Sequence, residues 1–194
     1  FNRSIGPVYT ISTPLAGALP DTIVDVGANG DVADRLHRPV SSKYVLTDIY
    51  TAVDGRAVAR DQRFGMVLYE TTGPVKVRGL VLGLYGDGWS TGDVTYTRYD
   101  CVGGVLRMEA SENASIHPDP VTITPYVNET PQTPVSVSAA VGSTQVPARL
   151  SAKDGVCQVR FHVDPLVVPA AAIGSTDDRP LGAIIRGFSY QPPN

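Results

Sequence analysis

The chain has 194 residues and a net charge of −3, and it is 42% hydrophobic with 19 glycines and 16 prolines. This length and composition suit one turn-rich β domain of sandwich type rather than a helical protein. The absence of a Lys/Arg cluster argues against nucleic acid or an anionic membrane as the main partner, and no apolar run is long enough to predict a spanning helix.

Residues 1–40 are interpreted as an irregular N-terminal wrap or linker, and residues 41–194 as a β-sandwich domain. In the first part, prolines recur, and only an edge strand at 22–26 with a turn at 27–30 is expected. In the second part, short apolar runs alternate with turn signals. The predicted strands are 43–50, 56–60, 65–70, 75–84, 94–99, 105–110, 121–127, 135–141, 145–150, 156–163 and 181–190.

Two local patterns within this series give sharper expectations. Asp54-Gly55 predicts a hairpin that joins strand 43–50 to its return strand 56–60. Strand 75–84 is apolar at nearly every position of its second half. Such a run is typical of a strand that is buried on both faces.

The number and spacing of the short strands indicate an all-β fold, an antiparallel β-sandwich or jelly roll. No amphipathic helix pattern is present. The only two cysteines, Cys101 and Cys157, each stand at a strand end, and they predict one disulfide; two unpaired buried thiols are the alternative. A disulfide favours an exported, extracytoplasmic location. We interpret a chain that begins at Phe1 as a processed product or an excised domain.

The stretch 75–107 organises the chain, because two apolar strands flank a Gly-rich loop at 86–93 that holds the only tryptophan. Sugar rings stack their C–H faces on aromatic planes, and carboxylates accept hydrogen bonds from sugar hydroxyls. The predicted carbohydrate-binding residues are therefore Trp89, Tyr85, Asp87 and Asp93. The alternative is that Trp89 folds back and plugs one end of the sandwich.

A second distinctive stretch is 177–182, where acidic residues precede an arginine at a strand entrance. This pattern predicts a structural pair between Asp178 and Arg179 that fixes the loop, and an anion site at Arg179 is the alternative. The three histidines, His37, His117 and His162, form no metal-ligand spacing, so no zinc site or other cofactor is predicted. A structural calcium ion held by loop acids stays open.

Several short motifs occur in a characteristic order over residues 65–190. They are Asp87-Gly88-Trp89, then Thr97 to Cys101, then Cys157 to Phe161 with Pro165 and Val168-Pro169, then Ser175 to Gly182 with Phe188-Ser189-Tyr190. This set resembles the β-sandwich accessory domains of actinobacterial cell-envelope glycosyltransferases, which are arabinosyltransferase-like, membrane-anchored glycan enzymes.

The resemblance implies an outward-facing domain joined to a catalytic or membrane-embedded part that acts on arabinan, mannan or similar glycans. The acids that carry transferase chemistry in such proteins have no counterpart in this chain, so no catalytic residue is assigned.

Three functions stay open at this point. The first is a non-catalytic carbohydrate-binding or scaffolding domain of an extracytoplasmic cell-envelope glycan enzyme, with arabinan, galactan or mannan as partner. The second is a purely structural sandwich that packs against its own catalytic part or a partner protein. The third is a stand-alone jelly-roll glycoside hydrolase or esterase that acts on envelope polysaccharide, although no GxSxG elbow or recognisable pair of acids supports it. A capsid-like jelly roll fits the strand count, but the predicted disulfide and the lack of a basic arm count against it.

Overall fold

A computed structural model of the chain describes residues 8–11, 21–61, 63 and 65–193, with side chains described from residue 24 onward. The chain groups into two compact units, Phe1–Arg78 and Gly79–Asn194. The expected division near residue 40 stays a prediction.

The first unit begins with a three-stranded sheet. Its strands are β1 (Val8–Ile11), β2 (Asp21–Val26) and β3 (Val32–Asp34), in the order β1-β2-β3. The strand expected at 22–26 is therefore an internal strand and not an edge strand, because β1 pairs in parallel along its second side. The predicted turn after it is confirmed, since the Gly30 amide donates to the Gly27 carbonyl at 2.9 Å.

A second three-stranded sheet of this unit contradicts the predicted hairpin. It consists of β4 (Tyr44–Asp48), β7 (Met66–Glu70) and β6 (Arg56–Asp61), in that order, and β5 (Ala52–Val53) precedes β6 in the chain. The predicted strand β4 and its return β6 are not neighbours, because each of them pairs with β7. The Asp54 amide donates instead to the Lys76 carbonyl at 2.7 Å.

The second unit is a β-sandwich with antiparallel pairing among its described strands. The first strand, β8 (Val77–Leu84), continues into it from the first unit. The remaining elements are β9 (Ser90–Tyr99), β10 (Gly104–Ser111), β11 (Val121–Val127), β12 (Thr130–Pro131), β13 (Val135–Val137), β14 (Thr144–Leu150), β15 (Val156–Asp164), α1 (Pro169–Ile173) and β16 (Ile184–Gln191).

These strands form two sheets. One has the order β12-β11-β15-β9-β8 with β13 alongside β11, and the other has the order β14-β10-β16. The all-β fold class and the antiparallel sandwich are thereby confirmed. The short helix α1 is the only described helix, and no described helix is both long and apolar enough to cross a membrane.

The core of the second unit follows from the period-two pattern of its strands. In β15 the side chains of residues 157, 159, 161 and 163 are buried, and those between them face outward. Phe161, Leu106 and Met108 are fully buried. Complete burial of a side chain of this size contributes about 2–3 kcal/mol, so these inward rows supply much of the stability.

The disulfide between Cys101 and Cys157 is formed, with a Cα–Cα distance of 5.6 Å. It ties the loop after β9 to the start of β15, and both residues are buried. The prediction from the cysteine positions is confirmed.

The second half of β8 is less buried than expected. Leu82 is 48% exposed, because it lies opposite Thr95 on the outward face of its sheet. A bulge between Leu82 and Leu84 then shifts the register. The continuous apolar run therefore includes outward-facing residues, and its predicted burial on both faces is wrong.

Candidate functional site

The predicted Trp89 loop is a tight turn that joins β8 to β9. The Gly88 amide donates to the Tyr85 carbonyl at 2.9 Å, and the Tyr85 amide donates to the Trp89 carbonyl at 2.8 Å. Gly88 has φ +88°, a conformation that glycine adopts without strain. Because β9 already begins at Ser90, the loop is shorter than the stretch expected from its glycines.

The backbone around Trp89 is also bonded to the segment that leads into β16. The Ser90 amide donates to the Ala183 carbonyl at 2.8 Å, and the Ile185 amide donates to the Gly88 carbonyl at 2.9 Å. Backbone hydrogen bonds within the turn and to the segment that leads into β16 therefore fix the turn in place. Trp89 stands on a rigid support rather than on a free loop.

The Trp89 ring is half-buried and packs on His117. The two ring centroids are 6.2 Å apart, with a tilt of 32° between the planes. His117 is 3% exposed, and its Nε2 lies 3.1 Å from the Leu181 carbonyl oxygen. One side of the indole therefore packs against the protein interior while part of it stays accessible.

Arg179 gathers the other residues of the turn. Its guanidinium donates to the Asp177 carboxylate through Nε at 2.9 Å and through Nη2 at 2.7 Å, and Nη2 also donates to Asp87 at 2.8 Å. The same guanidinium lies 4.7 Å from the centroid of the Tyr85 ring. We name Tyr85, Asp87, Trp89, Asp177 and Arg179 the turn cluster.

Asp177, and not the neighbouring Asp178 that the sequence favoured, is the residue that pairs with Arg179. The hydrogen bonds from Arg179 hold the pKa of Asp177 at about 2. They also lower the pKa of Asp87 below its usual range, and the carboxylates in turn raise the pKa of Arg179. All three side chains are therefore charged at neutral pH, and the Asp87 side chain remains 48% exposed.

Asp93, the fourth predicted sugar-binding residue, belongs to a different group. Its Oδ1 accepts hydrogen bonds from Arg160 at 3.0 Å and from His162 at 3.1 Å. Burial alone would raise the pKa of Asp93, but these two hydrogen bonds outweigh it and lower the pKa. Arg160 also pairs with Glu129 at 3.3 Å and lies 4.4 Å from the Tyr126 ring centroid.

The Asp93 group lies on the outward face of β9, β15 and β11. On this face Thr95 and Tyr126 flank Arg160, and Gln158 donates to Thr97 at 3.2 Å. The sequence motifs did not indicate this surface as a site. The alternation of polar and buried residues in β9, β11 and β15 is the signal by which it could have been found.

A second pair that the sequence did not mark is Glu112 with His117. The Glu112 side chain is 0% exposed, and one of its carboxylate oxygens lies 4.0 Å from His117 Nε2. Burial raises the pKa of Glu112 to about 7, and an approach of the Asn113 amide offsets this only in part. Burial likewise lowers the pKa of His117. Because Glu112 directly follows β10 in a polar loop, nothing in the local pattern indicates its burial.

Within the described ranges, no three His, Cys, Asp or Glu residues converge to hold a metal ion. The structural calcium ion considered from the loop acids stays a prediction.

Comparison with known proteins does not assign the chain to a family. No family model matches it, and no curated protein matches it. Among solved structures, it is similar to TmCBM61 in complex with β-1,4-galactotriose, with 10% identity, a TM-score of 0.34, and coverage of 87% of this chain and 98% of that one.

It is also similar to a Clostridium perfringens ZmpB structure containing CBM51-2 in complex with GlcNAc and INT domains. The identity is 8% and the TM-score is 0.33, with coverage of 84% of this chain and 36% of that one. Likeness at this level is too weak to support an argument about this chain.

Proposed function

We propose that the unit Gly79–Asn194 is a non-catalytic carbohydrate-binding domain in which Trp89 anchors the glycan. The observation that carries this proposal is the way in which the protein positions and supports the Trp89 indole ring. It is half-buried, supported from inside by His117, and placed on a turn whose backbone is bonded on two sides. A rigid aromatic plane can stack on a sugar ring at little entropic cost.

The turn cluster supplies the polar half of such a site. Asp87 accepts a hydrogen bond from Arg179 and still exposes about half of its side chain, so its remaining lone pairs can accept bonds from sugar hydroxyls. Arg179 is 34% exposed. Asp93 lies outside the turn cluster, where it pairs with Arg160 and His162, and it stays a proposed sugar contact on the outward face of β9.

We further propose that the chain lies outside the cytoplasm as an accessory part of a cell-envelope glycosyltransferase. Two observations support this context. The buried disulfide is of the kind that persists in oxidising compartments, and the ordered motifs resemble those of such domains. The expected partners are then a wall polysaccharide of arabinan, galactan or mannan type and the catalytic or membrane-embedded part of the same protein.

A scaffolding role is the second candidate, and a specific feature of the first unit favours it. On the sheet β4-β7-β6, Tyr44 is 50% exposed, Leu46 is 58% exposed and Met66 is 39% exposed. The strand register places these three side chains on one face. We propose that this apolar face serves as a surface for protein contact.

The hydrolase alternative has weaker support. Glycoside hydrolysis needs two carboxyl groups facing a substrate across several ångströms. The turn cluster instead offers Asp87 and Asp177, which are both held by Arg179, and Glu112 is inaccessible to a substrate.

The proposal is tested by following the Trp89 indole N–H signal in NMR titrations with arabinan, galactan and mannan fragments. We expect a saturable shift with one of these glycans, and loss of binding in Trp89→Ala with the dispersed spectrum of the folded domain retained. An unfolded Trp89→Ala would show that the ring serves the core. The absence of any shift in the folded wild type would favour the scaffolding role.

Tyr126→Ala is the matched control, because Tyr126 is an aromatic residue of the same unit on the outward face of the sheet, against Arg160. We expect Tyr126→Ala to bind glycan as the wild type does. Loss of binding in Tyr126→Ala but not in Trp89→Ala would move the site to that face.

A further inference from the structure

The buried carboxyl group of Glu112 is the least satisfied polar group of the second unit. Its side chain is 0% exposed, and neither carboxylate oxygen has a hydrogen-bond partner among the described residues. A charge in such a position costs several kcal/mol unless it is paired or neutralised by a proton. An orphaned buried group of this kind needs a physical explanation.

Among the basic side chains of the described residues, only His117 lies within 4.0 Å of this carboxyl group. Arg186, on β16, donates from Nε to Oγ of Ser111, the residue before Glu112, at 3.0 Å. Arg186 forms no ion pair with Glu112. Asp87 and Arg179, the charged residues of the turn cluster that carries Trp89, are paired with each other. Burial, and not a charged partner, is therefore what keeps the Glu112 carboxyl group protonated.

The His117 imidazole also packs against the Trp89 ring. Its centroid lies 6.2 Å from that of the indole, and its Nε2 contacts the Leu181 carbonyl. A change of charge at Glu112 therefore acts on the group that supports the candidate binding platform. Glu112, His117 and Trp89 therefore lie in sequence from the interior to the half-buried indole, with 4.0 Å between Glu112 and His117 Nε2 and 6.2 Å between the two ring centroids.

We propose that the buried Glu112 carboxyl group holds a proton beside His117 and beneath Trp89, and that loss of this proton loosens the Trp89 turn, so that pH controls the presentation of the indole. Glu112 and His117 are then positioning residues of the site. The link to ligand binding rests on the proposed function, whereas the link between the proton and Trp89 does not.

The direction of the effect follows from burial. At pH values well below 7 the carboxyl group is neutral and can stay inside without a partner. As the pH rises through about 7, the group becomes an unpaired buried anion. The surroundings of Trp89 must then open to admit water to it.

The test uses the emission of the single tryptophan in the full chain, without any glycan. In the wild type, we expect a reversible red shift of the emission maximum, with a midpoint near pH 7. Glu112→Gln keeps the shape of the protonated side chain and removes its titration, so its emission maximum is expected to stay constant from pH 6 to pH 9.

His162→Gln is the control for the removal of a polar side chain elsewhere, because His162 is exposed and bonded to Asp93 on another surface. We expect His162→Gln to keep the wild-type profile. A profile in Glu112→Gln that matches the wild type would overturn the proposal.

A second measurement keeps the test independent of how well the variant folds. Infrared spectra of wild-type protein labelled with ¹³C in its glutamate carboxyl groups report a protonated acid directly through its carbonyl band. We expect this band at pH 6 and its loss by pH 9, together with the fluorescence change. Absence of the band at pH 6 would equally refute a proton held at Glu112.

Measurements of glycan affinity show separately whether the binding surface at Trp89 changes with pH. Once a glycan has been found by the indole titration, its affinity is expected to be several-fold weaker at pH 8.5 than at pH 6 in the wild type, and equal at both pH values in Glu112→Gln. Failure to find any glycan would count against the proposed function, while the fluorescence profiles would still decide the inference about the proton.

Discussion

Arg179 shows how one side chain orders a candidate site. Its planar guanidinium makes two parallel bonds to Asp177, a third bond to Asp87, and a stacking contact with Tyr85. A lysine presents a point charge and cannot reproduce this geometry. The turn and the loop before β16 are therefore connected through a single residue.

Removing this residue should destabilise the fold in a pH-dependent manner. The pKa of Asp177 is about 2 in the folded protein and 3.8 for the unperturbed group. A lowered pKa contributes stability above the unfolded value, and that contribution is lost as the pH falls through the folded value. We expect the Tm of Arg179→Gln to lie below that of the wild type at pH 7, with the difference shrinking between pH 4 and pH 2.

Thermal denaturation followed by circular dichroism at a series of pH values measures this difference. Arg107→Gln is the control, because Arg107 donates to the neutral amide oxygen of Gln191 and its loss should show no such pH dependence. An Arg179→Gln difference that is the same at pH 2 and pH 7 would contradict the assignment.

At the scale of single residues, the sequence predicted which side chains meet at the turn better than it predicted which of them pair with each other. Tyr85, Asp87 and Trp89 do share one turn, since residues so close in sequence are brought together by any tight turn. The choice between Asp177 and Asp178 could not be made, because both stand near Arg179 in the chain and only the loop geometry separates them. Glu112 was missed because burial of a loop carboxyl group depends on distant elements.

The β8–β9 hairpin shows what a single glycine contributes to an element. Gly83 lies in the bulge with φ +88°, and a Cβ atom there would lie 2.0 Å from the Asp93 carbonyl oxygen. Both the backbone conformation and the space exclude a side chain. The bulge lets the strand change register before it reaches the Trp89 turn.

Gly83→Ala is therefore expected to lower the free energy of unfolding by about 3 kcal/mol or more, through backbone strain and a clash with the neighbouring strand. Gly142→Ala separates the two causes, because Gly142 has φ +81° with no atom within 4 Å of its added Cβ. We expect about 1 kcal/mol for this control. Urea denaturation measures both values, and equal losses would mean that the bulge adapts to a side chain.

Local patterns predicted most strands but not which strands pair. Strand β11 has the bounds expected from its alternation. The Asp54-Gly55 signal was misleading, because a turn sequence fixes the chain direction and not the neighbour, and β7 is inserted between the two strands. Burial of β8 was overestimated for a related reason, since an apolar run does not show which of its residues face outward.

The disulfide acts at the scale of the whole second unit, because it connects residues 56 positions apart in the chain. In the chain-entropy model, closing a loop of this length stabilises the folded state by about 4 kcal/mol. We expect the double variant Cys101→Ala/Cys157→Ala to lose up to this amount in urea denaturation followed by Trp89 fluorescence.

Wild-type protein treated with a reductant provides the comparison for that variant and should show a similar loss. An unchanged midpoint in both cases would mean that the cross-link does not restrict the unfolded chain. At this scale the all-β class and the disulfide followed from composition and cysteine position. The two-unit grouping did not, because it depends on contacts that no local pattern encodes.

The strand order β14-β10-β16 has a consequence for biosynthesis. Strand β10 is the central strand of its sheet, yet β14 and β16 both follow it in the chain, and β16 is the last described element. On the ribosome, one edge of β10 can pair only after residues 144–150 have been synthesised, and the other edge stays unpaired until residues 184–191 have been synthesised. Such late long-range pairing slows folding and exposes the nascent chain to aggregation. Production of this domain should thus benefit from slow translation or from a chaperone that holds the nascent chain.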